Sequence, residues 1–129
     1  MISFDNFKLR DGIPVYLQIL EHIKQGIVAG EIVNNDELPS RRVLSALLGL
    51  NPNTVQKAYR ILEDEGLIES HAGAKSYMRL DGEKLRRVRD ELIERVTLDA
   101  AEAFKRMGLT KAEAAALLER YWSEVEEEK

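Results

Sequence analysis

Two short helical patterns, separated by a glycine and an Asn-Pro pair, constrain this chain more than any other feature. Ser40 can cap the first helix, because its hydroxyl can accept a hydrogen bond from a free amide of the first turn. Gly49 ends that helix where a positive φ is needed. Asn51 can cap a second helix, with Pro52 at the first position, where the missing amide has no partner to lose. The spacing predicts two helices and a tight turn over residues 40–62.

Apolar periodicity assigns a buried face to each of these helices. The predicted stripe of the first helix consists of Val43, Leu44, Leu47 and Leu48. In the second helix the positions i, i+3, i+4 and i+7 are occupied by Val55, Ala58, Tyr59 and Leu62. The same period turns outward Asn53, Gln56, Lys57 and Arg60. This is the helix-turn-helix pattern, whose second helix reads the major groove of DNA.

Basic side chains occur where the chain lacks acidic ones. The net charge is −4, yet no Asp or Glu lies between Glu37 and Glu63. The basic residues of that window are Arg41, Arg42, Lys57 and Arg60. A surface that faces phosphates has to exclude carboxylates, so the window favours DNA binding. The alternative is an ordinary solvated face of a helical pair.

Two short strands and a hairpin follow Gly66. The strand patterns cover residues 67–70 and 76–80, and the stretch from Ser70 to Leu80 again lacks acidic residues. Its basic side chains are His71, Lys75 and Arg79. Such a hairpin, or wing, can reach a minor groove or a phosphate beside the recognition helix. The alternative is a solvated hairpin.

A further helix is predicted upstream, between Pro14 and Gly30. Proline is tolerated at a helix start, and glycine is common just past a helix end. The apolar residues that mark the buried face are Tyr16, Leu17, Leu20, Ile23 and Ile27. Gly26 lies inside this helix and is either a weak point or a place of close packing.

The C-terminal part, residues 81–129, predicts a helical hairpin. One helical pattern runs from Glu83 to about Met107, and a capping box at Thr110 starts another. Two amphipathic helices cannot bury both apolar faces alone, so the stripe has to meet the winged domain or a second copy. We favour a second copy, with a dimerisation surface formed by Leu92, Val96, Phe104, Leu117, Leu118, Tyr121, Trp122 and Val125.

Composition argues against most other functions. A chain of 129 residues holds one domain and little more, and it has no cysteine and two distant histidines. No phosphate-binding glycine loop is present, so we expect no enzymatic activity, no metal and no cofactor. The sequence shows neither a signal peptide nor an apolar run long enough to span a bilayer, and we expect a cytoplasmic protein without membrane contact.

The motifs together resemble the winged-helix domain of GntR-type bacterial transcription regulators. The matching runs cover residues 14–19, 39–44, 51–59 and 62–69. The resemblance implies a mainly α fold with a small β wing: a winged helix-turn-helix domain over 1–80, with its wing at 67–80, then a two-helix dimerisation region over 81–129. The short tail is similar to that of the YtrA subfamily, which implies no large effector-binding domain.

The resemblance also implies a function and a set of site residues. The expected function is a sequence-specific transcription regulator, a homodimeric repressor on an inverted-repeat operator of double-stranded DNA. The expected DNA-binding residues are Ser40, Arg41, Arg42, Asn51, Asn53, Thr54, Gln56, Lys57, Gly73 and Lys75. Arg42 matches the family's DNA-contacting arginine, whereas Lys75 replaces a wing glycine and Gln56 replaces a common arginine. The alternative function is a winged-helix module for protein–protein contact.

Overall fold

The computed structural model describes residues 1–71 and 75–125, which form a mainly helical chain with one small sheet. The elements are α1 (Val15–Val28), β1 (Glu37–Leu38), α2 (Arg41–Leu48), α3 (Pro52–Asp64), β2 (Ile68–Ser70), β3 (Ser76–Met78), α4 (Gly82–Arg106) and α5 (Lys111–Trp122). They belong to two compact units, Met1–Leu92 and Ile93–Lys129. The predicted fold class, mainly α with a β wing, is confirmed.

The turn between α2 and α3 has the predicted chemistry. Ser40 Oγ accepts a hydrogen bond from the Val43 amide at 3.1 Å. Gly49 adopts a left-handed conformation with φ of 65°, which most side chains avoid. Asn51 Oδ1 accepts a hydrogen bond from the Asn53 amide at 2.8 Å, and α3 begins with proline. These local contacts fix where both helices begin and where the first one ends.

The core of the first unit lies under α3, which packs against α1 and α2. The predicted inner face of α3 is fully buried: Val55, Ala58, Tyr59 and Leu62. The Tyr59 hydroxyl donates to the Pro39 carbonyl at 2.7 Å. Burial raises the pKa of the Tyr59 phenol above its ordinary value, although the guanidinium of Arg41 lowers it. The phenol is therefore protonated and available as a donor at neutral pH.

The predicted apolar stripe of α2 is wrong in part. Leu44 is fully buried, but the exposed fractions of Val43 and Leu47 are 54% and 65%. Among the eight residues of α2, Leu44 and Ser45 are buried, and Leu48 is half-buried against the core. A short helix that contacts the core along a narrow strip of its surface buries fewer apolar residues than its sequence contains. The exposed pair remains on the outer side of α2.

The sheet contains a strand that the sequence pattern did not predict. Its order is β1-β3-β2, and all neighbours are antiparallel. Strand β1 lies just before α2, where the sequence analysis assigned no element, and it pairs Glu37 with Tyr77. The amide of Ile2 donates to the Glu37 carbonyl at 2.8 Å, which ties the N-terminal arm to this edge. A two-residue strand leaves no periodicity in the sequence, so only its pairing reveals it.

The first unit extends past the predicted boundary at residue 80. Val88 of α4 is part of its core. Lys84 Nζ donates to the carbonyls of Gly66 and Arg79, at 2.6 and 3.1 Å. Arg87 donates to the Glu65 carbonyl at 2.8 Å. These cations lie at the C-terminal end of α3, where free carbonyls and the helix dipole favour positive charge. The start of α4 therefore belongs to the winged unit.

We expect Gly26→Ala to lower the free energy of unfolding by up to about 2 kcal/mol. A Cβ at Gly26 would lie 2.5 Å from Cδ1 and 2.9 Å from Cγ1 of buried Ile32. Overpacking costs about 1–3 kcal/mol, and the gain in helix propensity of about 1 kcal/mol offsets part of this cost. Urea unfolding measures the change. Gly82→Ala is the control, since a Cβ there meets no atom within 4 Å. Equal stability of the two variants would exclude close packing at Gly26.

The second unit leaves its apolar side chains accessible in a single chain. No residue from Ile93 to Val125, the described part of this unit, is buried. Of the proposed dimerisation residues, Leu92, Phe104 and Leu117 are half-buried. The exposed ones are Val96, Leu118, Tyr121, Trp122 and Val125. No helix in the described ranges is both long and apolar enough to cross a membrane.

The turn into α5 follows the predicted capping box. Gly108, with φ of 79°, follows α4. Thr110 Oγ1 accepts from the Glu113 amide at 3.2 Å, and the Thr110 amide donates to Glu113 Oε1 at 3.0 Å. Hydrogen bonds from Thr110 to the Glu113 carboxylate, first from its backbone amide and then from its side chain, hold the pKa of Glu113 below its ordinary value. The start of α5 is thus determined by residues next to it in the chain.

Candidate nucleic-acid interface

The outward face of α3 presents the polar side chains that the periodicity predicted. Asn53, Lys57 and Arg60 are exposed, whereas Thr54 and Gln56 are half-buried. Asn51 is also exposed, and its side-chain oxygen caps α3, which leaves its amide nitrogen free to donate. The face therefore combines amide groups, a hydroxyl and two cations, which can recognise both base edges and phosphates.

Lys57 rests on an aromatic ring that the sequence assigned to the core. Its Nζ lies 3.9 Å from the centre of the Tyr16 ring. A cation at that distance gains about 0.5–1 kcal/mol at an exposed site, which fixes the direction of the lysine. The two residues line a concavity of about 410 Å³ together with Asn51, Asn53 and Thr54. Tyr16 thus joins the candidate site, and only the packing of α1 beside α3 reveals it.

The start of α2 contributes one free arginine. Arg42 is exposed and forms no side-chain hydrogen bond or ion pair within the described ranges. Ser40 uses its oxygen as an acceptor in the helix cap, so its hydroxyl proton remains available to a ligand. Both side chains are compatible with the DNA-binding role that the resemblance implied, since Arg and Ser are common phosphate donors.

Three glutamates that flank the acid-free segments each pair with a basic residue. Lys75 Nζ lies 3.9 Å from Glu37, and Arg79 Nε lies 2.7 Å from Glu69. The third pair joins Arg41 to Glu63. In contrast, within the described residues no carboxylate pairs with Arg42, Lys57 or Arg60. The structure thus divides the basic residues into a compensated and an uncompensated group.

The wing is described on both sides of its tip. The amide of His71 donates to the Lys75 carbonyl at 2.8 Å, and the His71 ring packs edge-on against Tyr77. Arg79 also donates to Asn35 Oδ1 at 2.9 Å, so its guanidinium is committed to the protein. Gly73, which the sequence analysis assigned to DNA binding, lies outside the described residues. Lys75 remains mostly exposed and accessible to a ligand.

Known proteins are similar to this chain in both sequence and fold. Residues 15–77 match the family described as bacterial regulatory proteins, gntR family. The chain is 33% identical over 100 residues to the HTH-type transcriptional regulator YhcF of Bacillus subtilis (strain 168), covering 78% of this chain and 83% of YhcF. It is 42% identical over 69 residues to the HTH-type transcriptional repressor YtrA of the same strain, and spans 53% of that protein.

Two solved structures extend the similarity to most of the chain. A GntR family transcriptional regulator from Listeria monocytogenes has a TM-score of 0.74 and 28% identity, covering 87% of this chain and 98% of that one. YtrA from Sulfolobus acidocaldarius, a GntR-family transcription factor, has a TM-score of 0.54 and 32% identity, covering 96% and 98%. The chain therefore belongs to the GntR family of bacterial regulatory proteins, transcription regulators with a winged helix-turn-helix DNA-binding domain.

Proposed function

We propose that this protein is a homodimeric repressor that binds an inverted-repeat operator in double-stranded DNA. The observation that carries the proposal is the uncompensated positive charge of Arg42, Lys57 and Arg60 around the polar outer face of α3. Cations without carboxylate partners lose no ion pair when they bind phosphate. The name of the similar YtrA of Bacillus subtilis, a transcriptional repressor, supports the sign of the regulation.

Base recognition is assigned to the N-terminal half of α3. Asn53 and Gln56 can each pair bidentately with adenine, and Lys57 can reach the acceptors of guanine. Thr54 and Asn51 supply shorter donors at the same helix start. Arg42 and Ser40 hold the phosphates beside the groove, because they begin the helix that crosses the backbone in this motif. Gly73 and Lys75 complete the proposed interface at the wing.

Dimerisation is assigned to the exposed apolar residues of the second unit. The exposed fraction of Trp122 is 78% in a single chain, and Leu118 and Tyr121 are exposed on the same helix. A two-fold axis would bury this surface on both copies at once. Such a dimer places two recognition helices at a fixed separation, so its operator has two inverted half-sites, about 34–36 Å apart or a multiple of this distance. Large aromatic residues dominate interface energies, which makes Trp122 the proposed anchor.

We expect Asn53→Ala and Lys57→Ala to weaken operator binding by about 1–3 kcal/mol each, with a smaller effect on random DNA. The reason is that base contacts distinguish sequences whereas phosphate contacts do not. Binding selection on random duplexes supplies the operator, and titrations on operator and random DNA measure both affinities. Lys111→Ala, at the exposed start of α5, is the control for charge removal and should leave both affinities unchanged.

Two outcomes would contradict parts of the proposal. Equal losses on operator and random DNA would assign Asn53 and Lys57 to phosphates instead of bases. A full chain that shows no salt-dependent shift on any duplex would favour the alternative function, a winged-helix module for protein–protein contact, because phosphate binding always releases counterions.

A further inference from the structure

Arg41 and Arg42 are neighbours in the sequence but differ in their surroundings. The Arg42 side chain is exposed, whereas the Arg41 side chain retains 22% of its accessible surface. The Arg41 guanidinium donates through Nη2 to Glu63 Oε1 and lies 5.0 Å above the centre of the Tyr59 ring. Its Nε is enclosed and has no acceptor within the described residues. The inner edge of this guanidinium is therefore turned into the protein.

Hydrogen bonds link Glu63 to three structural elements. Two of the elements donate to its carboxylate directly, and the third is linked through Ser70. Besides Arg41 from α2, the Ser70 hydroxyl of β2 donates to the same Oε1 at 2.9 Å. The hydroxyls of Ser70 and Ser76 lie 3.0 Å apart. Since the single proton of Ser70 points to the carboxylate, Ser76 is the donor to Ser70. Ser70 and Ser76 face each other across β2 and β3, and Ser76 is fully buried.

We infer that Arg41 is a positioning residue for the DNA interface and does not contact phosphate. It neutralises Glu63, the last acidic border of the basic window, and it ties the start of α2 to the end of α3 and the base of the wing. These are the three elements that carry the proposed DNA contacts, so the inference rests on the proposed function. Arg42, one position later, carries the phosphate contact.

The inference predicts which second substitution rescues the loss of Arg41. In Arg41→Ala the Glu63 carboxylate has no cation within its network, and it repels the phosphates that approach beside it. Glu63→Gln removes that charge and retains an oxygen that can accept from Ser70. The double variant should therefore bind DNA nearly as well as the natural protein. A direct phosphate contact, in contrast, is lost with Arg41 whatever residue occupies position 63.

The experiment measures operator affinity of the full chain as a function of salt for Arg41→Ala, Glu63→Gln and the double variant. We expect Arg41→Ala to weaken binding about tenfold, which corresponds to about 1.4 kcal/mol. The double variant should return to within about threefold of the natural protein, with the salt dependence of Glu63→Gln alone. The matched control is Arg42→Ala, whose loss Glu63→Gln should not repair and whose salt slope should fall by about 0.9.

Two results would overturn the inference. One is a double variant as weak as Arg41→Ala, with a slope about 0.9 lower than that of Glu63→Gln, because the slope counts phosphate contacts. The other is an Arg41→Ala protein that binds with unchanged affinity. Thermal unfolding checks that each variant folds. If Arg41→Ala does not fold, Arg41→Gln combined with Glu63→Gln preserves a neutral hydrogen-bonded pair and makes the same distinction. Failure of the proposed function looks different, since the natural protein itself would then not bind duplex DNA.

Discussion

Removal of residues 93–129 is expected to give a monomer that binds the operator at least about 100-fold more weakly than the full chain. In a dimer the second winged unit binds as an intramolecular partner, and such linkage raises affinity by about 10²–10⁴ without new contacts. The removed segment contains most of the proposed dimerisation surface, including Trp122 and Leu118. The remaining unit, Met1–Leu92, keeps its own core. Analytical ultracentrifugation and operator titration measure the two effects.

The position of the cut provides the control. A shorter chain that ends at residue 80 also removes Val88 from the core and the Lys84 bonds to the end of α3, so it should unfold at a lower temperature. The point variant Trp122→Asp tests the same interface in the full chain, where its exposure predicts no loss of monomer stability. A truncated chain that still dimerises, or a full chain that sediments as a monomer, would refute the assignment.

Leu44→Ala is expected to lower the free energy of unfolding by about 2–5 kcal/mol, because it leaves a cavity in a fully packed core. Leu44 has no exposed surface and belongs to the core cluster that includes Val55 and Tyr59 of α3. Natural domains are stable by about 5–15 kcal/mol in total, so this loss is a large share. Urea unfolding followed by circular dichroism measures it.

Leu47→Ala is the matched control, since it makes the same chemical change on the same helix. The exposed fraction of Leu47 is 65%, and a substitution at such a site is expected to change stability by less than about 0.5 kcal/mol. Similar losses in the two variants would show that α2 buries its whole apolar stripe, contrary to the structure. A small loss at Leu44 alone would show that the core relaxes around the missing side chain.

Most of the fold could be predicted from the sequence, because it depends on contacts between residues that are close in the chain. The Ser40 and Asn51 caps, the left-handed Gly49 and the capping box at Thr110 depend on residues within a few positions of each other. The inner face of α3 also followed from its period, because four apolar residues at helical spacing leave one way to orient the helix. The polar outer face of α3, and with it the proposed readout residues, is the other side of the same pattern.

Tertiary packing decided which side chains of α2 and the wing are available to a ligand. Arg41 and Arg42 are adjacent basic residues in the sequence, but consecutive residues point about 100° apart around a helix. One guanidinium therefore meets Glu63 while the other faces solvent. Glu63 lies 22 residues from Arg41 in the chain. A pair so far apart in sequence leaves no local pattern from which it could be predicted.

The same reason applies to the features that the sequence did not indicate. Strand β1 exists because Glu37 lies opposite Tyr77, and Tyr16 belongs to the site because α1 packs beside α3 and brings the ring under Lys57. Val88 belongs to the core of the winged unit, although α4, the helix that carries it, also contributes residues to the second unit. Each of these contacts joins residues far apart in sequence. The periodicity along the chain could therefore predict which face of a helix or strand a residue occupies, but it could not predict which residue it contacts.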